Sequence, residues 1–137
     1  MLKPMQEAAT TKWRSSGFRR LLNAARHQSD GIRQALLHDS AIRQVSVACF
    51  LLSCVAVLLP TTRIERLILI LSLLLIVLVE YINSAIEATV DRISLDSHPL
   101  SKQAKDFGSV AVAIAATMSL VCWITIAGPL VMAWLAK

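Results

Sequence analysis

The stretch Leu67–Val90, LILILSLLLIVLVEYINSAIEATV, decides how this chain folds. Its 24 residues carry two charges, Glu80 and Glu87. A helix that crosses a bilayer needs about 20 predominantly apolar residues, and two other stretches meet that need. Gln44–Thr62 runs for 19 residues and Phe107–Ala136 for 30 without a single charge. Three such segments exceed what a chain of 137 residues can hide in a water-soluble core. The chain therefore reads as an all-α polytopic membrane protein with three transmembrane helices. A 55% hydrophobic composition is too apolar for intrinsic disorder. Cys49, Cys54 and Cys122 fall inside the spans without metal-ligand spacing. They read as small packing residues, which excludes a secreted disulfide scaffold.

The basic residues set the topology. Lys3, Lys12, Arg14, Arg19, Arg20, Arg26, Arg33 and Arg43 precede the first span, and Arg92, Lys102 and Lys105 flank the second connector. Only Arg63, Arg66 and Lys137 fall on the other side. The positive-inside rule then assigns the N-terminus and the second connector to the cytoplasm. Anionic headgroups or an anionic substrate account for the net charge of +5, with no nucleic acid required.

Residues 1–16 read as a polar leader, and residues 1–43 lack the continuous apolar core of a signal peptide. Residues 17–137 read as a single membrane-embedded domain. In it Phe18, Leu21, Leu22, Ala25, Ile32 and Leu36 recur at helical spacing opposite Arg19, Arg20, Arg26, Asp30 and Arg33. That pattern predicts an amphipathic surface helix over about 18–38, with a bend or break near Gln28, Ser29 and Gly31. Spans are expected over about 40–59, 64–92 and 103–134. The first should stop at Pro60, and Ser94–Ser101 should form the second connector. Trp123 and Trp134 read as interfacial anchors.

Within the second span, Glu80, Asn83 or Ser84, Glu87 and Asp91 fall on one helical face. Carboxylates inside a membrane cost about 2.5–3.5 kcal/mol each on insertion scales and default to function. Two carboxylates with an amide and a hydroxyl between them suit a hydrated divalent cation. The competing reading is an adhesive stripe that joins helices by hydrogen bonds. Asp39, Asp96, His98, Lys105 and Asp106 gather on the same membrane side. Carboxylates with lysine at such a face are the groups that metal–nucleotide chemistry uses. The glycines, Gly17, Gly31, Gly108 and Gly128, form neither a Walker loop nor a GxGxxG turn.

The run Glu80-Tyr81-Ile82-Asn83-Ser84-Ala85-Ile86-Glu87 with Asp91-Arg92, followed by Ala104-Lys105-Asp106-Phe107-Gly108-Ser109, resembles the signature of the bacterial integral-membrane diacylglycerol kinases. The likeness extends to Gly17-Phe18-x-Arg20, Ala24-Ala25, Gly31-Ile32-Arg33 and Asp39–Gln44, and so spans roughly residues 17–136. It implies a homotrimer with composite active sites in a bacterial inner membrane. The implied activity is transfer of phosphate from Mg·ATP to diacylglycerol, with Mg²⁺ as cofactor and phosphatidic acid as product. By position in the motif, Glu80 is implied as general base, Asn83 as the group that orients the carboxylates, and Glu87 with Asp39 as metal ligands. Arg20, His27, Asp39, Glu87, Asp96, Ser97, His98, Lys105 and Asp106 are implied at ATP. Arg20, Ala24, Ala25, Arg33, Arg66, Glu80 and Ser109 are implied at the lipid. His27 and Ser97 stand where relatives often carry Tyr, Ser29 where they often carry Trp, and Val45 where they carry an acid. An undecaprenol kinase of the same family is the near alternative. An ion or proton carrier, or a non-enzymatic assembly subunit, is the distant one.

Overall fold

A computed structural model describes residues 17–93 and 98–136. The leader 1–16 lies outside the described residues, as do Asp96 and Ser97 of the second connector. The described residues form four helices: α1 Gly17–His38, α2 Ser40–Leu58, α3 Arg63–Ile93 and α4 Pro99–Leu135. α1 belongs to one compact unit and α2–α4 to a second.

α1 runs unbroken for 22 residues, without the expected bend. The Ser29 hydroxyl donates to the Arg26 carbonyl at 2.8 Å, so the helix itself satisfies it. Gly31 inside a helix costs only about 1 kcal/mol against alanine. Leu21, Leu22, Ile32 and Leu37 are exposed along it, an apolar stripe of the kind that an interfacial helix beds into lipid.

α2, α3 and α4 are each long and apolar enough to cross a membrane. The chain is thus an all-α polytopic membrane protein. α3 is central, with α2 and α4 both packed on it. The buried residues of α2 are Ile42, Cys49 and Ala56, at seven-residue spacing. Those of α4 are Gly108, Ala115, Ser119 and Ala127, all small. Small residues let backbones approach where no hydrophobic effect drives helix association. Ser72 of α3 reinforces the contact, its hydroxyl 3.0 Å from that of Ser119. Cys49 packs in the seam as expected, whereas Cys54 faces outward and Cys122 is half-buried. Of the two tryptophans expected as interfacial anchors, Trp134 is 73% exposed, and Trp123 is half-buried and lines an apolar groove with Cys49 and Leu52 of α2 and Leu73 and Ile76 of α3.

The helix ends follow from local chemistry. α2 stops at Leu58, because Pro60 has no N–H and disfavours helical geometry at Leu59. α3 opens with a reciprocal capping box: Glu65 Oε2 accepts from the Thr62 amide and hydroxyl, both at 2.8 Å, and the Glu65 amide donates to Thr62 Oγ1 at 3.3 Å. The Arg66 guanidinium donates to the Leu59 carbonyl at 3.2 Å and closes the turn. α4 begins at Pro99, four residues before the expected start at 103, with His98 as N-cap: its Nδ1 accepts from the Leu100 amide at 3.2 Å. Residues 99–101, read from sequence as connector, are therefore helical. Proline at the first helical position lacks only an amide that would have no partner there. α4 also continues through Pro129, which membrane helices tolerate.

Asp39 alone separates α1 from α2 and caps α2, its Oδ1 accepting from the amides of Ala41 at 2.9 Å and Ile42 at 3.1 Å. Its Oδ2 accepts from the Ser84 hydroxyl of α3 at 2.7 Å. These bonds, Ser84 foremost, hold the Asp39 carboxyl below its ordinary pKa. A pKa lowered by folding contributes stability above the unfolded value of about 4 and loses it as pH falls through the folded value. Asp39→Ala should cost about 1–2 kcal/mol in reversible unfolding in mixed micelles. Asp39→Asn should cost less, and its deficit against the parent should vanish as pH is lowered below about 4.

Candidate functional site

The seam of α3 changes character along its length. Its buried residues are Leu69, Leu73, Glu80 and Asn83. With half-buried Ile76 and Glu87 they recur at alternating four- and three-residue steps, which keeps them on one face. Toward Arg63 that face is aliphatic. Toward Ile93 it is carboxylate and amide.

Glu80 is 6% exposed and Asn83 7%. The Asn83 amide donates from Nδ2 to Glu87 Oε1 at 2.9 Å. Its Oδ1 is buried without a hydrogen-bond donor, facing Gly108 of α4. The amide has one sensible orientation, since turning it would set its oxygen against a carboxylate. A Cβ at residue 108 would collide with Asn83 Oδ1 and stand 3.2 Å from Asn83 Cγ. Glu80 stands one turn before Ser84, whose hydroxyl binds Asp39, and seven residues before Glu87 on the same face. Asp39, Glu80 and Glu87, together with Asn83, thus form one acidic group drawn from the N-terminus of α2 and one face of α3.

Lys105 and Asp106, both expected at the nucleotide, each bind a different partner. Lys105 Nζ binds Asp91 Oδ1 of α3 at 2.5 Å. Asp106 binds Lys102 at 2.5 Å within α4, both side chains well exposed. Ser109 is exposed, and its hydroxyl donates to the Lys105 carbonyl at 3.1 Å. His98 spends its Nδ1 on the cap of α4. Arg66 belongs to the opposite end of α3, 14 residues from Glu80 and so about 21 Å along the axis. The structure does not bring Arg66 to the acidic group. Arg20, Ala24, Ala25, His27 and Arg33 are exposed residues of α1, in the other compact unit.

Among the described residues, no three His, Cys, Asp or Glu side chains converge as a preformed metal cage. Mg²⁺ seldom needs one: it is usually held by one or two carboxylates together with substrate phosphates and water. Asp39 and Glu87 have that donor chemistry. A carboxylate offers about four lone-pair sites, and the bonds described above occupy three at Asp39 and one at Glu87.

Three residues act here in ways the sequence reading did not assign. Ser84 ties Asp39 to α3, Asp91 holds Lys105, and Gly108 makes room for Asn83. Asp91 was legible as the last member of the polar face, one turn beyond Glu87. The role of Gly108 was not, because nothing in its own helix says which residue of α3 lies opposite. Gly108→Val should displace the Asn83 side chain and destabilise the α3–α4 pair by about 1–3 kcal/mol, as overpacked sites do, measured by reversible unfolding in mixed micelles.

The sequence profile described as prokaryotic diacylglycerol kinase matches residues 26–127. A diacylglycerol kinase of Pseudomonas aeruginosa is 47% identical over 111 residues, 81% of this chain and 90% of that protein. One of Escherichia coli is 43% identical over 109 residues, 80% of this chain and 89% of that protein. One of Haemophilus influenzae is 35% identical over 112 residues, covering 81% and 94%. The matched region takes in all of α2 and α3, the acidic group and the Lys105 pair. The chain belongs to the prokaryotic diacylglycerol kinase family.

Proposed function

We propose that this protein transfers the γ-phosphate of ATP to diacylglycerol, giving phosphatidic acid and ADP. The observation that carries this reading is Glu80: a buried carboxylate inside an apolar helix, on one face with buried Asn83 and with Glu87. A base for a hydroxyl that never leaves the bilayer has to stand within the bilayer. Glu80 takes the proton from the primary hydroxyl of the lipid. The hydroxyl oxygen forms its bond to the γ-phosphorus as the bond between the γ-phosphorus and the β,γ-bridging oxygen breaks, and ADP leaves with that electron pair. Asn83 holds Glu87 in place through its amide. Lys105 offsets phosphate charge as it builds during transfer. Mg²⁺ held by Asp39 and Glu87 would supply neutralisation of the nucleotide phosphates.

The same reading has the N-terminus and the second connector on the cytoplasmic side of a bacterial inner membrane, where ATP is available and where the basic residues concentrate. It also has the chain self-associating, since partner chains would help to cover the acidic face from lipid; that the assembly is a homotrimer is what the family resemblance implies. Adhesion alone is a weaker account of the stripe: the hydrogen bond that joins α3 to α4 within the apolar region is Ser72 to Ser119, away from the carboxylates.

The test is transfer of labelled γ-phosphate by the purified protein in mixed micelles, with diacylglycerol and undecaprenol in parallel. Diacylglycerol should be phosphorylated preferentially, and EDTA should abolish transfer. Preference for undecaprenol would keep the mechanism and change the substrate. Glu80→Gln should lower kcat by about 10²–10⁴-fold, the usual worth of a positioned general base. Glu87→Gln should remove nearly all lipid phosphorylation while cross-linking still reports the same oligomer. Loss of the oligomer instead would support the adhesive reading of the stripe.

A further inference from the structure

Two lysine–carboxylate pairs stand near the start of α4, and they differ in kind. Lys102 and Asp106 are one turn apart on one helix, with side chains 76% and 56% exposed. Lys105 and Asp91 are 14 residues apart, on different helices, and more covered at 37% and 49%. Asp91 lies four residues beyond Glu87 on the same face of α3. An ammonium bound to Asp91 is therefore held about one helical turn, roughly 6 Å of rise, from the level of Glu87.

We propose that Asp91 is a positioning residue for phosphoryl transfer: it holds the Lys105 ammonium at the end of the carboxylate stripe, where the nucleotide phosphates arrive. The inference rests on the lipid-kinase reading above. Lysine carries its charge on a flexible four-carbon stem, so an unheld Lys105 would spread over many rotamers in water. Asp91 fixes it before the nucleotide binds. An ammonium has three donors, and Asp91 takes one, which leaves two for phosphate oxygens. A half-exposed ion pair contributes little to folding. Removing Asp91 should therefore be felt in turnover far more than in stability.

The lysines of the whole protein, in micelles, would be reductively methylated with ¹³C-formaldehyde, which keeps their charge. The Lys105 resonance is assigned by its loss in Lys105→Met. Asp91→Asn should shift that resonance and lower kcat about tenfold, while KM for ATP stays within about twofold and the unfolding midpoint is nearly unchanged. Asp91→Glu should recover part of kcat. In a Lys105→Met background, Asp91→Asn should cost nothing further, because the two residues act as one unit. The proposal is overturned by an unmoved resonance, by unchanged kcat, or by an equal kcat loss in the Lys105→Met background. It is also overturned by a fall in stability that accounts for the lost activity. A parent protein that phosphorylates neither lipid would overturn the kinase reading and the catalytic part of this one. The resonance would still report whether the pair exists.

Discussion

A carboxylate placed among aliphatic helices has to be enclosed, and the organisation of α2–α4 follows from enclosing Glu80. Its insertion cost, about 2.5–3.5 kcal/mol on translocon scales, makes a lipid-facing position unfavourable. The helix that carries it is accordingly the central one, packed on both sides. The small seam of α4 brings that helix in closely enough to bury Asn83, and at Gly108 the approach leaves no room for a Cβ. Asn83 then has its nitrogen on Glu87 and its oxygen against backbone. The polar groups are thus ordered by a close contact of two helices, and that contact tolerates no side chain at residue 108.

The two ends of the α2–α4 unit are built for different tasks. At the Leu59–Thr62 turn, Thr62 and Glu65 bond one another in the capping box, and Arg66 donates to the Leu59 carbonyl. Such a turn ends one helix and starts the next within a few residues. At the other end Asp39, Glu87, Asp91, Lys105 and His98 stand on three different helix termini or flanks. Two of their bonds run between elements, Ser84 to Asp39 and Lys105 to Asp91. Charge that links separate helices can be rearranged by an arriving anion without unravelling any one of them.

Much of this was legible in the residues themselves. The uncharged runs located three spans to within a few residues, because hydrocarbon thickness leaves little choice of length. The step between Glu80, Asn83 and Glu87 put them on one face by helical geometry alone. Other features depended on side chains finding partners outside their own segment. Position in the motif says nothing of the ion-pair partners of Lys105 and Asp106, which are Asp91 and Lys102. Asp39 looked like a metal ligand and proves also to be the cap of α2, since Asp before an apolar run serves either role. Residues 99–101 read as connector, although proline at a first helical position is compatible with the start of a helix. Gly31 and Ser29 raise the expectation of a bend, yet α1 is continuous, with the Ser29 hydroxyl bonded back to the Arg26 carbonyl.

The heptad spacing of Ile42, Cys49 and Ala56 against the exposure of Phe50, Leu51, Val55 and Leu58 divides α2 into two populations under different selection. Outward side chains meet fluid acyl chains, which accept any aliphatic shape, so Leu, Ile, Val and Phe can exchange there at little cost. Seam positions meet fixed atoms, where one methylene is felt. Substitutions accumulating by drift should therefore be dense on the outer arc of each span and sparse along a line recurring every seventh residue. Two members of the family could then differ at most of their membrane-embedded positions and still superpose helix for helix.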